Sequence, residues 1–344
     1  MQSAKYRVDV LRNGVLLDQL FFDVAPQISC NSTAQIATTL RGTFVSNPRV
    51  NYISDELRPM IIRDGVASPL GVFCIGTRKV SIQENGARRD TIEAYDRCVR
   101  LSWAKLEKRD FWPKGTPYQA VIEHYVAAAG VPRLAFTSNE ATLQTDREDW
   151  DIGTSYLTIC NQLLNEMGYR SLYCDARGLM IAAPRVDPSA ANIKHSFGTR
   201  DTPGAMLQMA MTQELDLFDA PNVFIAYVEN PDLAQPLSAM AVNDSPTSPV
   251  STANRGVRIP LITRLDNIAS QDALQAYVDK QCSESRMTYE VVSISTAPRS
   301  GHGVSDTVAL VHDGASGIYE ETGWSLTLAE GSLMTHTLRK AVLV

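Results

Sequence analysis

The stretch Trp150–Pro184 constrains this chain more than any other, because it reads unbroken as acidic lead-in, helix, stop, strand, turn and strand. Thr154 or Ser155 offers a side-chain oxygen to cap the helix. Tyr156, Ile159, Cys160, Leu163, Leu164 and Met167 then recur at the spacing of one helical face. Gly168 supplies the left-handed residue that ends the helix. Two short apolar runs follow, Tyr169–Asp175 and Leu179–Ala183, hinged at Ala176-Arg177-Gly178, so the helix has a small hairpin to lie on.

A fainter version stands 38 positions upstream, with Thr116 matching Thr154, Tyr118 matching Tyr156 and Gly130 matching Gly168. Its helix carries a capping box, Thr116 to Gln119, and a proline in the first turn; the strand VPRLAFTS follows. Either a helix-strand unit has been duplicated, or two capped amphipathic helices share their punctuation. On both accounts residues 106–190 form an α+β module.

On either side the pattern is β. Asn13-Gly14 between Tyr6–Arg12 and Val15–Phe22 predicts a hairpin, since both turn positions need positive φ. Further strands are expected at 36–44, 58–63, 69–83 and 90–103, with turn chemistry at Asp64-Gly65 and Glu84-Asn85-Gly86. Antiparallel strands joined by tight turns with no helix between them predict a small barrel or sandwich over residues 1–105. After Pro184, residues 195–216 fit no element clearly, and Asn222–Glu229 reads as a strand. Asn230–Arg258, with several prolines and little periodicity, reads as a long loop or insertion. A helix capped by Ser270 is expected over 270–284, and strands over 289–295, 306–313, 317–329 and 332–344. The expected class is α+β, mainly β: two small β-barrel domains, 1–105 and 191–229 plus 288–344, joined by the α+β module, the second interrupted by a loop and helix at 230–287.

A length of 344 residues exceeds one ordinary core and suits several modules. A net charge of −6 argues against a partner held by its phosphates. No run approaches the roughly eighteen apolar residues of a membrane span, and the start MQSAKYRVDV lacks an apolar signal core; synthesis in the cytoplasm and no membrane insertion are expected.

The search for chemistry finds little. Cys30, Cys74, Cys98, Cys160, Cys174 and Cys282 form no Cys-x-x-Cys pair and have no histidine at ligand spacing, so they are expected to be small buried hydrophobes. The acidic cluster Asp146, Glu148, Asp149 and Asp151 precedes a helix start, where acids suit the positive dipole end, and lacks the glycine and terminal glutamate of a calcium loop. His124, His195, His302, His312 and His336 fall in no metal motif, and Ser305-Asp306 with His312 has no nucleophile elbow. No glycine-rich phosphate loop occurs. No catalytic, cofactor-binding or metal residue is assigned, and no enzyme is expected.

Three stretches resemble the baseplate hub proteins of tailed bacteriophages, the late control protein D type and the related hubs of contractile injection systems. They are RDGVASPLGVFCIGT (63–77) with YDRCVRLSW (95–103), then Gly153-Thr154-Ser155 through the Tyr-x-Asp-x-x-Gly hairpin at Tyr173–Gly178, and Asn222–Asn230 with Ala241–Pro249 and Gly256-Val257-Arg258. The resemblance touches all three modules. It implies a structural virion protein of the tail: a homotrimer whose two barrels per subunit imitate sixfold symmetry, joining the tail tube or distal tail protein to a threefold tip or spike. The tape measure protein would be a neighbour and DNA only cargo through the lumen. The alternatives are a tail-associated wall hydrolase using Asp149 or Asp151, and a carbohydrate- or receptor-binding module with Trp112, Trp150 and Trp324 as a platform.

Overall fold

Asn13 and Gly14 take φ of 52° and 78°, the left-handed pair that turns β1 (Lys5–Arg12) into β2 (Val15–Leu20). The computed structural model describes residues 4–148, 150–198, 207–208, 210–214, 220–228, 237–265, 271–286 and 290–340. Strands outweigh helices, 44% to 16%, so the chain is mainly β. It divides into two compact units: Met1–Val186 with Ser295–Asp306 and Thr322–His336, and Asp187–Ile294 with Thr307–Glu321 and Thr337–Val344.

In the first unit β3 (Val24–Asn31), β4 (Thr38–Val45), β5 (Glu56–Arg63), β6 (Val66–Pro69), β7 (Phe73–Ile82) and β8 (Arg88–Asp96) follow the opening hairpin. Their order is β3-β4-β8-β7-β5-β1-β2, with β6 folded onto β5 through the Asp64-Gly65 turn. A strand from late in the chain, Ser316–Thr327, pairs with the outer side of β3, Trp324 opposite Cys30. Alternation sets the face: along β8, Asp90, Ile92, Ala94 and Asp96 turn inward. Val8, Leu20, Ile28, Leu40, Phe44, Leu57, Phe73, Ile92 and Leu326 share one core, and each such side chain contributes about 1.5–3 kcal/mol by leaving water. Among the described residues no pairing closes this antiparallel sheet into a barrel.

Two local expectations are corrected. β3 lies where no strand was expected, because Pro26 reads as a breaker; the ladder passes it in a bulge, Val24 facing Thr43 and Gln27 facing Arg41. The strand expected over 90–103 stops at Asp96 and becomes α1 (Cys98–Trp103). Asp96 causes the switch by accepting the Cys98 N–H at 2.9 Å, a local bond that competes with the ladder.

The α+β part contains α2 (Tyr118–Ala128), β9 (Leu134–Phe136), α3 (Tyr156–Glu166), β10 (Tyr173–Cys174) and β11 (Met180–Ala182). Ser155 caps α3 by accepting from Thr158 N. Pro117 caps α2 without a side-chain bond, and Thr116 Oγ1 donates instead to the Pro113 carbonyl at 2.7 Å, so the expected capping box does not form. Gly130 and Gly168 follow their helices at φ 71° and 73°. Val121, Ile122, Tyr125, Ile159, Cys160, Leu163 and Leu164 meet in one core; Leu157 is also buried there, whereas Tyr156 and Met167 lie at its margin. β11 runs antiparallel to β10 and parallel to β9.

The second unit contributes β12 (His195–Gly198), β13 (Thr212–Glu214), β14 (Val223–Val228), β15 (Leu237–Val242), α4 (Thr252–Arg255), β16 (Pro260–Leu265) and α5 (Gln271–Arg286), and shares β17 (Val291–Thr296), β18 (Asp306–Val311), β19 (Ser316–Thr327) and β20 (Met334–Lys340). β12 runs parallel to β18, and β13 antiparallel to β17; the rest of 195–216 is only partly within the described residues. The stretch read as loop at 230–258 contains β15, which pairs with β14, and α4. Its short, alanine-containing run is too weakly apolar to announce itself, and the partner strand supplies what propensity does not. Leu274, Val278 and Cys282 of α5 pack on Phe224, Ala226, Ala239 and Ala241. The expected cap Ser270 lies outside the described residues. Asn222 is fully buried and braces the following loop, donating to Val250 and Val257 carbonyls and accepting from Ile259 N.

Candidate functional site

The end of β8 is where the β and α+β parts of the first unit meet. Glu56 opens β5 and is buried. Arg97, the residue after β8, donates Nε to its Oε1 at 2.8 Å and Nη2 to its Oε2 at 2.6 Å. The remaining nitrogen, Nη1, donates to the Gly178 carbonyl at 2.8 Å. This fork fits a carboxylate in a way no lysine could, and the hydrogen bond to Glu56 raises the Arg97 pKa further. Arg100, one turn on, adds Nη2 to Glu56 at 3.3 Å and Nε to Cys74 Sγ at 3.4 Å. Burial pushes the Cys74 thiol up to about 11, so it sits there as a neutral, packed group.

The β10–β11 turn is shaped to enter this joint. Asp175 Oδ1 accepts from both Arg177 N and Leu179 N, at 2.9 and 2.8 Å. Gly178 has φ 77°, and a Cβ built there would lie 2.7 Å from Val72 Cβ. Only glycine satisfies both the backbone angle and the approach.

Beside the joint lies a second cluster. Cys98 and Cys174 place their sulfurs 3.9 Å apart, with an Asp96 oxygen within 4.8 Å of both. Asp96 Oδ2 accepts from Thr38 N at 3.0 Å. Burial pushes its carboxyl up, and the bond with Cys174 together with burial pushes the Cys98 thiol well above its ordinary range. A cavity of about 10 Å³, lined by Thr38, Val72, Asp96, Cys174, His302 and Trp324 among others, has room for a single water.

The residues weighed from the sequence are dispersed. Asp146 accepts from Lys114 N at 2.7 Å, Glu148 is exposed, and Asp151 is exposed with Arg109 at 3.4 Å. Asp149 lies outside the described residues. Asp306 accepts from Gly303 N, and His312 Nδ1 accepts from Gly314 N. The tryptophan platform is corrected: Trp150 and Trp324 are buried and half-buried Trp112 is tied inward. Their indole N–H groups donate to Gln162, Gly303 O and Tyr125 OH, respectively. All six cysteines are buried, as expected. Neither the Glu56–Arg97–Gly178 joint nor the Asp96–Cys98–Cys174 cluster was found from the sequence, since each unites residues far apart along the chain; the nearest signals are Asp-Arg-Cys at 96–98 and Tyr-Cys-Asp at 173–175.

No model of a protein family matches the chain, and no curated protein matches it. Solved structures do. A tail protein from Neisseria meningitidis MC58 superposes with a TM-score of 0.70 at 14% identity, covering 98% of this chain and 97% of that one. The 43 kDa tail protein of prophage MuSo2 from Shewanella oneidensis gives 0.68 at 10% identity, covering 97% and 98%. An E. coli component of the type VI secretion system, described as similar to the T4 bacteriophage tail proteins gp27 and gp5, gives 0.51 at 12% identity, covering 96% of this chain and 76% of that one. The fold is therefore one found in tail proteins.

Proposed function

We propose that this chain is a non-enzymatic structural component of a phage-type tail, acting as the hub of its baseplate or tip. The observation that carries the reading is the end-to-end likeness to a tail protein, 98% of this chain over 97% of that one; it is not confined to a module that any protein could borrow.

In this reading the regions 1–105 and 191–229 plus 288–344 act as two barrel-like bodies, with 106–190 spacing them and 230–287 inserted in the second. Three chains then present six similar bodies to a sixfold tube or distal tail protein on one side and a threefold tip or spike on the other, with the tape measure protein adjacent and DNA passing through the lumen. Leu20 of β2 and Leu326 of β19, strands far apart in the sheet order, contribute to one core, as expected of a strongly curled sheet. Among the described residues β2 is an edge strand that exposes Val15, Leu16 and the following Phe21, and a neighbouring subunit would cover both its apolar side chains and its outer backbone edge. The protein would be made in the host cytoplasm and end in the virion tail. No described helix is long and apolar enough to cross a membrane.

Light scattering on the purified chain, alone and with its tail-tube partner, tests the proposal. A trimer, or trimers seen as threefold rings on tube ends, is expected. A strict monomer that joins neither tube nor tip refutes it.

A further inference from the structure

We propose that Asp96, Cys98 and Cys174 form a structural site for one thiophilic divalent cation of the zinc class. Zinc binds thiolate sulfur at about 2.3 Å with tetrahedral angles, which sets two thiolates about 3.8 Å apart. Cys98 and Cys174 stand at 3.9 Å. That is the separation of two ligands around one ion, and it requires no backbone movement. A disulfide needs the sulfurs at about 2.05 Å, so forming one would require a large closure inside a packed core.

The third ligand is in place. Asp96 directs each carboxylate oxygen at one backbone N–H, Cys98 and Thr38; each oxygen keeps a second lone pair. The three ligand atoms lie within 4.8 Å of one another and all three residues are buried. The fourth position falls to a water, for which the adjoining cavity lined by Asp96 and Cys174 has the room. The Asp96 oxygen held within reach of both sulfurs, beside a cavity with room for the remaining ligand, separates the reading from a pair of inert thiols. The thiols bind as thiolates and their protons leave to solvent as the ion enters.

The site would fasten the hairpin strand carrying Cys174 to the β8–α1 junction, beside the Arg97–Gly178 bond. Entry is expected during folding, because the ligands are closed off afterwards. The role is structural: the ion holds two segments and faces no open cleft.

Refolding metal-free protein from denaturant with increasing cobalt(II) under reducing conditions tests this, since thiolate ligation produces an intense charge-transfer absorption that carboxylates and waters do not. One equivalent should saturate the band in the wild type, and the band should be lost in Cys98→Ser and in Cys174→Ser but kept in Cys160→Ser. Zinc present during refolding should suppress the cobalt band and raise the thermal midpoint, and magnesium should do neither. Absence of the band in folded wild-type protein overturns the proposal, as does its survival in Cys174→Ser or a native mass two hydrogens short that reveals a disulfide. Should the serine variants fail to fold, the wild-type titration and zinc shift still decide.

Discussion

Arg97 holds both oxygens of Glu56 and, with its third nitrogen, the carbonyl of Gly178. One guanidinium thereby joins the start of β5 to the β10–β11 turn. Removing one member of a buried pair strands the other. Glu56→Gln is expected to cost about 3 kcal/mol of unfolding free energy, and Arg97→Lys nearly as much because the fork is lost. Urea unfolding followed by intrinsic fluorescence measures both.

Gly178 and Gly168 separate backbone strain from crowding. Both have positive φ, at 77° and 73°, but a Cβ at Gly168 meets open space whereas one at Gly178 meets Val72. Gly168→Ala should cost about 1–2 kcal/mol for the left-handed angle alone. Gly178→Ala should cost about 1–3 kcal/mol more, and under the hub reading it should also reduce incorporation into particles. Equal losses in the two variants would show that the Val72 contact yields freely.

Asp55 links stability to pH. It accepts from Arg12 Nε and Nη2 at 2.9 and 2.8 Å and from Asn51 N at 2.8 Å. The Arg12 hydrogen bonds hold its carboxyl below the ordinary value of 3.8. A folded pKa lower than the unfolded one means the stabilisation is complete above about pH 4 and drains away as pH falls through the folded value. Asp55→Asn should therefore lose stability at pH 7 and show a shallower decline than wild type below pH 4. Parallel thermal melts across pH 2–7 would reveal it.

Asp151 should be dispensable. Its carboxylate lies 3.4 Å from Arg109, with 86% and 67% of the two side chains exposed, and such pairs contribute little. Asp151→Asn is expected to melt with the wild type. Neither protein should clear bacterial cell walls in a zymogram; clearing by the wild type that vanishes in the variant would revive a hydrolase.

Much of the local structure was legible because its cause was local. Asn13-Gly14 fixes a hairpin through two backbone angles, and Gly168 ends α3 in the same way. β3 was hidden because Pro26 looks like a breaker until a partner strand shows that the bulge tolerates it. β15 and α1 were hidden for a related reason: their fates depend on β14 and on the Asp96 carboxylate rather than on periodicity. The direction of a tryptophan is not legible from composition; Trp324 turns its N–H inward to Gly303. The sites were the least legible part. Cys98 and Cys174 are 76 positions apart, a separation at which no spacing rule operates and only the folded chain brings ligands together.

The pairing of Trp324 with Cys30 also imposes an order on biosynthesis. A ribosome releases β3 well before its outer partner, so the nascent first unit must wait with one side of β3 unfilled. Until β19 arrives, that side of β3 stays open to pairing with any other strand, and the late-made ladder from Gly323 to Thr327 is what closes it.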